Sequence, residues 1–356
     1  MSLYNNSLIH LIKRLRTSDL ATILILVLFS SIQSLSQPLQ NVVYSPDGSK
    51  FLVRHLESVY LWDSHTGNIL RIFKTNRSDG ASDNSYKFAA FLSNSKLVLN
   101  DEKEDLIWWD IRADKEIKRI SGNFKIHALS PDRRMLAGVN FSSNERQFID
   151  IYNSSTGSLL RKLKPKHSFG CMVFIPGNKR MLGISSFGAE VLAIETGRII
   201  KSFSNEEVYN DCAVSPKGDS ILAGIDVLGT NKHVSTWLQD LNKPERSLNL
   251  PDKYSDLIAR SSSVGYSVAD PNLAFVAGSS DSPMKGILIV WDISNGKVKQ
   301  VITNENEIDA AAFAPNGKTI LFLDRRRNLI LLDLASGVRI RNYNAPSLKE
   351  NLSIKY

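Results

Sequence analysis

The sequence predicts an all-β protein, a seven-bladed β-propeller of four-stranded antiparallel blades preceded by an N-terminal hydrophobic signal segment. Three observations predict it. A Pro-containing turn recurs as YSPDGSK (44–50), LSPDRRM (129–135), VSPKGDS (214–220), FAPNGKT (313–319) and a worn FIPGNKR (174–180). Each copy, and two further units without it, leads into an aliphatic run and then a run ending in an aromatic-Asp pair or its relic: SVYLWD, LIWWD, FIDIYN, VLAIE, VSTWLQD, LIVWD and LILLD. A Thr-Gly or Asn-Gly type of turn follows, and then a last run carrying Lys or Arg, as in NILRIFK and SLLRKLK.

Local chemistry justifies each element in turn. In the first turn Pro fixes φ, Asp suits the next position and Gly closes it. The strand before it is apolar on both faces. Large residues stand two before the Pro (Tyr44, Leu129, Phe174, Val214, Phe313), and smaller ones mostly stand three before it (Val43, Ala128, Val173, Ala213, Ala312). A strand of that kind must be covered on both sides, as an inner propeller strand is. The last run alternates with period two and reads as a half-solvated outer strand. The units are 41–74, 86–121, 124–164, 168–203, 209–250, 257–302 and 308–343, with SNSK and ADPN replacing the Pro turn in the second and sixth. A repeat of roughly 35–50 residues with four strands is a propeller blade, and stacking blades radially buries both faces. Because the first unit begins with its inner strand and the last ends with its outer one, blades 1 and 7 are expected to meet by side-chain packing alone, unless 37–40 or 345–356 adds a partner.

The N-terminus is read separately. His10, Lys13, Arg14 and Arg16 precede the apolar run LATILILVLF at 20–29, and Ser34 and Ser36 follow. This is the pattern of a secretory signal with cleavage after Ser36, and it is too short for an ordinary spanning helix. The expected organisation is a signal peptide over 1–36 (or an uncleaved membrane anchor), a propeller over 37–345 and a tail over 346–356. The expected location is secreted or periplasmic, with membrane contact only through the N-terminal segment. The chain is 42% hydrophobic and 22% charged with a net charge of +8, and its densest basic cluster beyond the leader is Arg325-Arg326-Arg327. With acids scattered among the bases, the charge reads as a solvated basic surface rather than a nucleic-acid stripe.

On the turns and on Trp62-Asp63, Trp109-Asp110 and Trp291-Asp292, the chain resembles the WD-repeat propeller family over about 41–343. The Gly-His pair that usually precedes the inner strand in that family is absent from every blade. The resemblance therefore implies a divergent, exported type without the hydrogen-bonded tetrad built on that His. Similar turns occur in other secreted propellers, including lactonases.

Length variation is concentrated in the links 75–85, 141–146, 227–232, 250–256 and 279–286, on the rim opposite the Pro turns, whereas the Pro and Gly turns stay short except at 239–245. Variable loops on a rigid scaffold favour that rim for binding. Candidate binding residues at the channel mouth are Lys87, His127, Asp211, Asp309 and Arg325, with Lys125 and His167 also at strand entrances. No catalytic motif, phosphate loop or metal-ligand spacing is present in the sequence, so no catalytic residue, metal or cofactor is assigned. Cys171 and Cys212 stand five and four residues before their turn prolines and so point to opposite faces of neighbouring blades. A cross-blade disulfide and two buried reduced thiols are both open, and the thiols are favoured because Cα separation is often too large for a bridge. The expected function is an exported, non-enzymatic interaction or ligand-binding module, a monomeric propeller whose partner is an unidentified protein or cell-envelope component. The competing reading is a propeller enzyme, a lactonase or other hydrolase, with its site at the central channel.

Overall fold

The computed structural model describes residues 42–343 except 56–57, 75–87, 102, 142–146, 186–187, 205–208, 226–234, 239–245, 248–259 and 281–284. The described strands form seven four-stranded antiparallel sheets, each a meander of consecutive strands, over 42–74, 88–120, 126–163, 171–204, 209–247, 260–304 and 308–343. These are blades 1 to 7. The expectation of seven complete blades is corrected to six complete among the described residues: in blade 5 the described part of the outer strand is Arg246–Ser247 alone.

The first strand of each blade touches the first strand of the next, and Val42–Tyr44 touches Ile308–Phe313, which closes the ring. Seven apolar clusters fill the seven seams. Between blades 3 and 4, for example, Ile149, Ile151 and Leu163 meet Met172, Phe174, Met181 and Leu192. Between blades 7 and 1, Leu321, Leu323 and Tyr343 meet Val42, Phe51 and Trp62. The described middle strands, such as Lys96–Asn100, Leu273–Ser279 and Gly286–Asp292, are therefore buried on both faces, as their aliphatic sequence requires.

The repeated turn has a shared geometry. In blade 1 the Ser45 hydroxyl donates to Asp47 at 2.7 Å and accepts the Lys50 N–H at 2.9 Å. Ser130 makes the same pair with Asp132 and Met135 in blade 3. The fourth turn residue takes positive φ: Gly48 (72°), Gly218 (74°) and Gly317 (67°), with Arg133 (61°) and Asn178 (57°) where Gly is missing. The glycine has a second role. A Cβ on Gly48 would stand 3.3 Å from Pro315 of blade 7, and one on Gly218 would stand 3.3 Å from Pro176 of blade 4. Neighbouring tips thus interlock, Gly of one against Pro of the preceding one.

The second turn is built by the aspartate of the Trp-Asp pair. Asp63 Oδ1 accepts the Thr66 N–H at 2.7 Å and the His65 N–H at 3.0 Å, which holds its carboxyl below the usual range. Asp110, Asp292 and Asp333 do the same for their own turns. The indole N–H groups of Trp62, Trp109 and Trp291 are buried and have no hydrogen-bond acceptor among the described residues.

Blades 1 and 7 meet through side chains, as expected, and side-chain hydrogen bonds add to the packing. Tyr343 packs edge-on against Phe51 (5.1 Å) and Trp62 (5.8 Å), and its hydroxyl donates to the Ser64 carbonyl at 3.1 Å. Arg341 donates to the His65 carbonyl at 2.5 Å. No strand from either terminus enters the described part of either blade.

Candidate functional site

The sequence candidates divide among three settings. Cys171, Asp211 and Ser263 hold the same register position on the inner strands of blades 4, 5 and 6, opposite Ile184, Gly224 and Ala277. Each reaches the following blade. Cys171 is joined to Cys212 by a disulfide with Cα atoms 6.1 Å apart. That separation lies inside the usual range for a bridge, so the preference for reduced thiols is corrected. Asp211 Oδ2 accepts the Val264 N–H at 3.0 Å, and its Oδ1 accepts the Cys212 N–H at 2.8 Å. Ser263 accepts the Ala311 N–H at 3.4 Å.

Asp211 is therefore not an open channel-mouth group. It is buried, and burial pushes its carboxyl up to about 7 against the lowering effect of the Val264 and Cys212 N–H bonds. Asp309 does lie at a strand entrance, at an irregularity where the register skips from Ile308 to Ala310. Arg325 binds it at 3.2 Å and Glu307 at 2.8 Å. Desolvation raises the Asp309 carboxyl and Arg325 lowers it, with a net rise. His127 is half-buried between buried Ile126 and Ala128. His167 Nε2 stands 3.8 Å from Glu190 Oε1, a buried carboxylate whose other oxygen accepts the Lys166 N–H at 3.1 Å. Lys87 lies outside the described residues, as do most of the long links. The structure brings Asp309 and Arg325 together. It leaves His127 and Asp211 on separate blades, and no group of three or more His, Cys, Asp or Glu able to hold a metal occurs among the described residues.

A different feature emerges on the side of the ring. The seven outer strands carry thirteen Lys or Arg and one acid, Glu116. They also share a β-bulge. Pairing skips one residue in each of six outer strands: Leu70, Ile117, Leu160, Ile200, Lys299 and Ile340. A bulge turns the extra side chain out of the ladder. The five aliphatic ones are all exposed. Each is followed by a cation, giving Leu70-Arg71, Ile117-Lys118, Leu160-Arg161, Ile200-Lys201 and Ile340-Arg341. Blades 7, 1, 2, 3 and 4 are consecutive, so this pattern covers a continuous arc. Exposed aliphatics at a repeated position are not the scatter expected of an ordinary surface.

Between blades 3 and 4 the arc deepens into a groove of about 490 Å³ lined by Ile151, Leu160, Arg161, Lys179, Arg180 and Ile200, among others. Both bulged residues of these blades form its walls. The groove lies beside the Pro turn of blade 4, on the rim that the loop lengths set aside. The sequence signal was the doubled aliphatics Leu159-Leu160 and Ile199-Ile200, which break the alternation of their strands.

No family model matches the chain, and no curated protein sequence matches it. Its structure is similar to the β-propeller domain of Cps50 (Swd1) from Myceliophteria thermophila, at 13% identity and a TM-score of 0.62, covering 82% of this chain and 94% of that one. It is also similar to Kuenenia stuttgartiensis hydrazine synthase, at 13% identity and a TM-score of 0.57, covering 74% of this chain and 80% of that one. Likeness at this identity establishes architecture alone. The chain is a β-propeller of four-stranded antiparallel blades.

Proposed function

We propose that this chain is an exported, non-enzymatic propeller that binds a protein partner through the side of its ring. The observation that carries the reading is the outer-strand arc, where exposed bulged aliphatics alternate with cations over five consecutive blades. Apolar contact area within a field of one charge is what a partner of opposite charge recognises. The groups that an enzyme at the channel would use are engaged otherwise. Asp211 accepts two backbone N–H groups and Asp309 is paired with Arg325. Export rests on the basic and apolar pattern of 10–36, with Gln37 as the first mature residue.

The test is affinity capture with the purified protein from an extract of its own host, followed by cross-linking. A discrete partner cross-linked to outer-strand lysines such as Lys118 or Lys201, and eluted by salt, is the expected result. Cross-links confined to the opposite rim, or turnover of a panel of lactones and esters abolished by His127→Ala, would overturn it. N-terminal sequencing of the secreted form checks export: a start at Met1 would remove that part.

A further inference from the structure

We infer that the groove between blades 3 and 4 receives an acidic, apolar peptide segment of the partner, its aliphatic side chains against Leu160 and Ile200 and its carboxylates against Arg161, Lys179 and Arg180. This deepens the reading of a protein-binding ring and rests on it. The groove has the chemistry for one kind of occupant. Its floor and walls are aliphatic, and its polar lining holds three cations against one acid, Glu195. No described carboxylate forms an ion pair with Arg161, Lys179 or Arg180, although other outer-strand cations are paired, as the adjacent Lys162 is with Asp150 at 3.7 Å and Arg71 of blade 1 is with Asp114 at 2.7 Å. Three cations left facing one apolar groove favour an incoming negative charge.

The alternatives fit less well. A second copy of this chain would bring its own cationic perimeter, with Glu116 as the sole outer-strand acid, and would be repelled. Pairing of a new strand along the edge is opposed by the bulges themselves, which bend and interrupt an edge strand. Nucleic acid would use exposed aromatic faces for stacking, and the groove lining has none. A flat bilayer meets protruding side chains, whereas here the apolar contact area is recessed between two blades. A chain segment with aliphatics to enter the groove and carboxylates to flank it satisfies both the shape and the charge.

The probe is a fluorescently labelled peptide of about twelve residues with Leu-Asp-Ile-Glu repeats, compared with a counterpart carrying Lys for each acid; binding is read by fluorescence polarisation. The acidic peptide is expected to bind, to weaken as salt rises, and to lose at least about tenfold in affinity with Leu160→Asp or Ile200→Asp. Arg180→Glu should weaken it as well, while Ile340→Asp on the distant blade 7 should not. Unchanged melting of these surface variants confirms that they fold. Equal binding of the two peptides, no binding, or equal loss with Ile340→Asp overturns the inference. So does selective binding of phosphatidylglycerol vesicles through the same residues without peptide binding. If the natural partner is captured equally well by Leu160→Asp and Ile200→Asp, this site is wrong while the protein-binding reading stands. If no partner is captured at all, the broader reading fails.

Discussion

The carboxylate of Asp211 crosses the seam between blades 5 and 6 and accepts the backbone N–H of Val264 at 3.0 Å. One seam earlier the same register position belongs to Cys171, bonded to Cys212; one seam later it belongs to Ser263, bonded to the Ala311 N–H. Three successive seams are therefore tied at one level near the channel, by three different chemistries. In blade 7 the position is Ala310, which has no such group to offer blade 1. The closing seam is held further out, by Tyr343 and Arg341.

The tie at Asp211 makes stability depend on pH. Its folded carboxyl titrates near 7, above the ordinary value of 3.8. Between those values the folded state holds a proton that the unfolded state has lost, so the contribution is full below about pH 4 and declines as pH rises to about 7. The slope is at most about 1.4 kcal/mol per pH unit, the limit for one proton. Asp211→Asn should remove this slope. It should be less stable than the wild type at pH 4 by roughly 1–3 kcal/mol, because one of the two N–H donors would then face an amide NH₂, and the deficit should shrink or reverse by pH 8, where the wild type holds a buried charge. Denaturant midpoints for both proteins from pH 4 to 8 check this, and parallel profiles would refute it.

The tie at Cys171 should be measurable by reduction. The bond closes a loop with a sequence separation of 41. Constraining an unfolded loop of that size is worth about 2–4 kcal/mol. Cys171→Ala with Cys212→Ala should lose that amount relative to the oxidised protein, and reducing the native protein should match it. Thiol titration after denaturation without reductant should find none. Two reactive thiols in the unreduced protein would show that the seam is not covalent.

These ties illustrate what could be read in the sequence. The phase of Cys171 and Cys212 relative to their turn prolines correctly placed them on facing sheets. Their Cα separation could not be read, because it depends on how closely two inner strands approach. The strands and turns were legible because most blades repeat similar local chemistry, such as Ser45 with Asp47 in one turn and Asp63 in the other. The perimeter site was not. Period-two reading of NILRIFK assumes an uninterrupted ladder, whereas the bulge at Leu70 shifts the face of every residue after it. The burial of Asp211 was also hidden, since it comes from the neighbouring blade.

Ring closure should depend on Tyr343 more than on any terminal strand. Its ring touches Phe51 and Trp62 across the seam, and its hydroxyl reaches Ser64. Tyr343→Phe removes only the hydrogen bond and should cost about 0.5–1.5 kcal/mol. Tyr343→Ala also opens a cavity between blades 7 and 1 and should cost roughly 3–5 kcal/mol. Hydrogen exchange should show the extra opening in 42–63 and 319–343 first. Protection lost equally in all blades would mean that the seam is not the weak point.

The tryptophans offer the sharpest comparison between the two kinds of buried indole. Trp108 donates its N–H to the Ser154 carbonyl of blade 3 at 2.7 Å, whereas the Trp62 N–H has no acceptor among the described residues. Replacing either by Phe removes a similar apolar volume. Trp62→Phe additionally removes a buried, unsatisfied donor, which offsets part of the packing loss. Trp108→Phe instead breaks a buried bond and strands the Ser154 carbonyl. Trp108→Phe should therefore destabilise by about 1–3 kcal/mol more than Trp62→Phe. Lys118 lies over the Trp108 ring at 4.8 Å and would add to the difference. Measuring both substitutions in a Lys118→Met background separates that contribution. If the two then cost the same, the Trp62 indole has an acceptor in solution, such as a buried water, and the missing tetrad is replaced rather than lost.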